Sequence, residues 1–144
     1  MGGIAVGAYG YPHATDDVDW LVTEEGAFSG TVVVTFKPGI PIRSEDVAID
    51  YLTPEGPQNV LADMRASLER SASDPYAIVV ASPALLVWMK LRAGRAKDVA
   101  AVVEMLKSGA VQAWEMRRYV EEAGDALVAE RFLRCARRAG ADVE

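Results

Sequence analysis

The pattern of apolar and polar positions changes near residue 82. Before it, short β-like blocks alternate with breakers; after it, helical spacing runs almost without interruption. In "DVDWLV", residues 17–22, polar and apolar residues alternate as in a half-buried strand. "TVVVTF", residues 31–36, is rich in β-branched residues, lies between Gly30 and Pro38, and reads as a second strand. "VAIDYL", residues 47–52, reads as a third, and "YAIVV", residues 76–80, as a short fourth. Between the last two, "NVLADMRASLERSA" places Val60, Leu61, Met64 and Leu68 on one helical face. Residues 3–10 fit a short helix. "GYPHAT" ends it, because Pro12 restricts Tyr11 and has no amide hydrogen to donate.

Ser82 followed by Pro83 is a helix start, with serine as cap and proline in the first turn. Helices are predicted over about 83–93, 96–107 with Gly109 as the stop, 111–122 and 125–138. The elements predict an α+β fold: a small mixed sheet with flanking helices over residues 1–81, then a helical half over 82–144. No repeat, low-complexity tract or long linker divides the chain, so residues 1–144 are expected to form a single domain.

Composition narrows the function classes. Half of the 144 residues are apolar and a quarter charged, which excludes wholesale disorder. No apolar run reaches the roughly 20 residues of a membrane span, and no segment reads as a signal peptide, so a cytoplasmic protein is expected. The net charge of −6 argues against coating nucleic acid by bulk electrostatics. Basic residues still cluster at Lys90, Arg92, Arg95 and Lys97, at Arg117 and Arg118, and at Arg131, Arg134, Arg137 and Arg138; the last two groups read as solvated helix faces. Cys135 is the single cysteine and reads as a buried structural thiol.

The carboxylates carry the candidate chemistry. Asp17 and Asp19 are two apart on a predicted strand and so leave one face, with Asp16 beside them. Like charges so close raise one another's pKa unless a cation lies between them, which points to a divalent-metal site. The hard oxygen donors suit Mg²⁺ or Mn²⁺. Asp50, set among apolar residues in "VAIDYL", would be costly on a buried sheet face unless paired or metal-bound. Three such carboxylates suit two-metal displacement at phosphorus. Gly2 and Gly3, opening a short helix, allow close approach of a phosphate to free amides. Lys90 stands as the one cation in the apolar run from Leu85 to Leu91, where it either snorkels to solvent or reaches into a polar site.

A glycine pair at a helix start, then Asp-apolar-Asp-apolar and a later carboxylate on a strand, resembles the nucleotidyltransferase superfamily related to DNA polymerase beta. "GGIAVGAYGYPHATDDVDWLV" with "KLRAGRAKDVAAVVEML" is more narrowly similar to AbiEii-type and related small nucleotidyltransferase-like proteins, many of them toxins of toxin–antitoxin pairs. The resemblance covers about residues 2–107. It implies that Gly2 and Gly3 face the triphosphate, that Asp17 and Asp19 bind Mg²⁺, and that Asp50 is the third carboxylate. It also implies that Lys97 and Asp98 orient the nucleotide or Lys90, with His13 on the phosphate side. The implied reaction moves a nucleoside monophosphate from an NTP to a hydroxyl of an RNA such as tRNA, of a protein or of a small molecule. An antitoxin protein is an implied partner.

A rival expectation is a catalytically degenerate module of that fold, used for binding or assembly. His13 stands where many relatives carry arginine, and Ala101 where many carry a second acid. Relatives also usually place a strand and helix before the glycine pair. A haloacid dehalogenase-type phosphatase is rejected, because its Asp-x-Asp ends an apolar strand, whereas here "GYPHATD" is polar and turn-like.

Overall fold

Among the described residues, five helices carry most of the buried core: α1 (Gln58–Ser73), α2 (Pro83–Ala93), α3 (Ala96–Lys107), α4 (Ala113–Ala123) and α5 (Ala126–Ala139). They are seen in a computed structural model that describes residues 5, 7–9, 17–21, 42–44, 47–52, 54–73 and 79–143. Three short strands among the described residues precede them: β1 (Asp17–Leu21), β2 (Ile42–Ser44) and β3 (Val47–Leu52). Their order is β1-β3-β2, with β1 parallel and β2 antiparallel to β3.

Local chemistry sets the helix ends. Ser82 accepts a hydrogen bond from the Leu85 amide at 3.1 Å and Pro83 fills the first turn of α2. Asp125 caps α5 by accepting from the Leu127 and Val128 amides, each at 3.1 Å. Gly94 and Gly124 end α2 and α4 in the left-handed conformation at φ 65° and 69°, where a side chain would be strained.

α2 is the central element, with Leu85, Leu86, Val87, Trp88 and Leu91 all buried. α5 packs on α3, α4 and α2 through Val128, Phe132, Cys135 and Ala136, while α1 packs on α4 and α2 through Val60 and Met64. Asn59 Nδ2 donates to the Tyr119 carbonyl at 3.0 Å and fastens α1 to α4. Tyr9 Oη donates to the Ala81 carbonyl at 2.7 Å, bringing an early segment to the start of α2.

The expected α+β fold, a mixed nucleotidyltransferase sheet with flanking helices, is corrected by this arrangement. The described body is helical, and among the described side chains no fully buried core residue belongs to a strand. Leu21, at the end of β1, only packs against the core from its margin. The physical reason is that the apolar stripes of the described helices pack on one another and close the described core between them. Val79 and Val80, read as the end of a strand, are not in one, and the strand read at 31–36 lies outside the described residues.

Candidate functional site

Two groupings contain candidate residues. The first is the β1–β3 ladder, in which Asp19 is the parallel register partner of Asp50 and Asp17 is the partner of Ala48. Neighbouring strands run about 4.8 Å apart, so two carboxylate-bearing residues stand on adjacent backbones with a third two positions along. Like charges in such positions destabilise a sheet unless a cation offsets them. An all-oxygen donor set of this kind fits a hard divalent cation. Among the described residues no group of three His, Cys, Asp or Glu converges; the side chains of Asp17, Asp19 and Asp50 fall outside that description.

The second grouping is the corner between α2 and α3. Lys90 Nζ donates to Asp98 Oδ1 at 3.0 Å, and Arg95 Nε donates to Asp98 Oδ2 at 2.6 Å. Asp98 is 1% exposed, and the Lys90 side chain 13%. Burial works to raise the Asp98 pKa, but the hydrogen bonds and charges of Arg95 and Lys90 outweigh it and hold the carboxyl below its ordinary value. Two cations on one carboxylate leave this corner with a surplus of positive charge. Lys97 lies exposed on the first turn of α3. Ala101, where many relatives of the resembling family have an acid, is part of the buried core.

Asp98 therefore does more than complement the dipole of α3 from its first turn. Lys90 and Asp98 stand out in the sequence, whereas Arg95, the second donor, is marked there only by the i,i+3 spacing in "RAKD". Arg131 reads there as part of a solvated face. Its Nη1 donates to the Leu91 and Arg92 carbonyls at 2.6 and 2.9 Å, a relation 40 and 39 residues apart that no local pattern announces. Gly2, Gly3 and His13 lie outside the described residues.

A further polar cluster joins α1, α2 and α4. Ser82 Oγ donates to Asp63 Oδ2 at 2.5 Å and Tyr119 Oη to the same oxygen at 3.4 Å. Burial and the Asp63 carboxylate push the Tyr119 phenol well above its ordinary pKa. This cluster serves packing: it binds the cap of α2 to its neighbours.

No protein-family model matches the chain, and neither a curated protein nor a solved structure does. No helix among the described residues is long and apolar enough to cross a membrane.

Proposed function

We propose that the chain transfers a nucleoside monophosphate from an NTP to a hydroxyl acceptor, with Mg²⁺ or Mn²⁺ as cofactor, in the cytoplasm. The observation that carries this reading is the parallel register of Asp19 with Asp50, with Asp17 two residues earlier on β1. It stands on that donor set and on the chemistry of the α2–α3 corner, independently of the fold expectation.

In this reading Asp17 and Asp19 hold the metal and its triphosphate, and Asp50 takes the proton of the acceptor hydroxyl. The acceptor oxygen forms its bond to the α-phosphorus as the bond to the β-phosphate bridge breaks, and pyrophosphate leaves. The divalent metal supplies charge stabilisation for the phosphates. Lys90 neutralises charge gathering on the leaving pyrophosphate, with Asp98 orienting its ammonium group. Gly2, Gly3, His13 and Lys97 complete the phosphate side. Acceptors in this class include an RNA such as tRNA, a protein and a small molecule, and an antitoxin would act by covering the site.

The test is transfer of labelled NMP from each NTP with Mg²⁺ or Mn²⁺, to RNA, protein and small-molecule acceptors, in wild type and Asp19→Ala. Metal-dependent transfer that Asp19→Ala abolishes supports the reading; transfer surviving the substitution refutes it. A second reading, a binding or assembly module without turnover, is favoured by the engagement of Lys90 with buried Asp98, since that pair also serves as a structural brace. A folded wild type whose melting temperature no metal–NTP combination raises would decide for the module.

A further inference from the structure

We propose that Arg131 is a positioning residue for Lys90: from α5 its guanidinium clamps the α2–α3 corner and sets where the Lys90 ammonium stands. This inference rests on the nucleotidyl-transfer reading for its catalytic consequence.

The last carbonyls of a helix have no intrahelical partner. At the end of α2 the Gly94 amide donates to the Lys90 carbonyl at 2.9 Å, while Arg131 Nη1 donates to the Leu91 and Arg92 carbonyls at 2.6 and 2.9 Å. Three successive carbonyls are thus held, two of them from another helix. Gly94 makes this possible. At φ 65° it turns the chain, and a Cβ there would collide with the Arg131 Nη1, Cζ and Nη2 atoms. Glycine vacates the space that the guanidinium fills.

Immediately after Gly94 the chain reaches Arg95 and then Asp98, which receives Lys90 Nζ at 3.0 Å. The gripped carbonyls of Leu91 and Arg92 lie directly after Lys90 and on the chain that leads through Gly94 to Asp98. The grip has a fixed base, because α5 is buried against α3 and α2 through Phe132 and Cys135. The clamp thus carries the rigidity of α5 to a lysine whose ammonium must meet a phosphate within a few tenths of an ångström to be useful.

The experiment uses the full chain with Arg131→Met and Arg131→Lys. NMR follows the Lys90 ammonium group and the Asp98 carboxyl carbon well below the melting temperature, and single-turnover kinetics with Mg²⁺ and an NTP follows transfer. Arg131→Met is expected to move both NMR signals toward exposed-chain values and to lower the transfer rate roughly ten- to a hundredfold, with a smaller change in KM for the NTP. Arg131→Lys keeps the charge and the donors, but its side chain ends one bond short of the Nη1 position that serves both carbonyls, so it gives a smaller shift in the same direction. A merely structural role would lower the melting temperature and leave both signals in place, and unchanged signals in a folded variant overturn the proposal. If Arg131→Met does not fold, Arg131→Lys decides by the same criterion. If wild type transfers nothing, the functional reading falls while the NMR signals still decide the clamp.

Discussion

Asp98 and Lys90 form an ion pair across the α2–α3 corner, with Lys90 Nζ 3.0 Å from Asp98 Oδ1 and the carboxylate only 1% exposed. Arg95, 62% exposed, closes on the other oxygen at 2.6 Å. The arrangement uses one buried acid to fix the start of α3 against the end of α2.

Removing the charge from Asp98 should therefore be costly. Breaking a buried pair leaves its partner uncompensated and costs roughly 3–5 kcal/mol. The solvent access of Arg95 and the residual exposure of Lys90 place Asp98→Asn at the low end, about 3 kcal/mol, or roughly 6–12 °C of melting temperature. The exposed Lys107–Glu104 pair provides the control, since its removal should cost less than about 1 kcal/mol. Thermal melting of the two variants checks the contrast.

Acid should unfold the protein partly through the same residue. The folded pKa of Asp98 lies below its unfolded value, so its contribution is fully present above about pH 4 and is lost as pH falls through the folded pKa. Melting temperatures measured from pH 6 downward should decline below about pH 4. The decline assigned to this group should be absent in Asp98→Asn.

Alkaline pH should act through Tyr119. Burial and Asp63 raise its folded pKa, so its stabilising contribution is present below the ordinary phenol value of about 10 and is lost as pH rises above it. Ultraviolet titration should show the Tyr119 phenol ionising only with unfolding. Tyr119→Phe should reduce the loss of stability above about pH 10.

Gly94→Ala should destabilise by more than the usual left-handed penalty of roughly 1–2 kcal/mol, because the new methyl also displaces the Arg131 guanidinium. Gly109→Ala, at φ 73° with open space around its would-be Cβ, carries the conformational penalty alone. A denaturant comparison of the two variants isolates the steric share.

The helical half was legible because its signals are local. "SP" starts α2 at Pro83, the spacing to Ala93 and from Ala96 to Lys107 matches the observed helices, and Gly109 lies just past the end of α3. The fold class was misread because alternation over five or six residues shows that a segment is extended, without showing that its sheet builds the core. In "DVDWL" and "VAIDYL" the strands are present, while among the described side chains the buried ones lie in or beside the helices.

The candidate site divides the same way. Asp17, Asp19, Asp50 and Lys90 were conspicuous as charges in apolar or strand-like settings, which is a property of neighbouring residues alone. That Asp19 pairs with Asp50, that Asp98 is buried under Lys90 and Arg95, and that Arg131 reaches the end of α2 are relations spanning 3 to 40 residues. Caps, turns and helical periods are determined by the sequence itself, because each is an exchange between a side chain and the backbone within one turn. Which charge is buried, and which distant donor satisfies a helix end, was decided only by tertiary packing, because desolvation depends on everything that closes around a group.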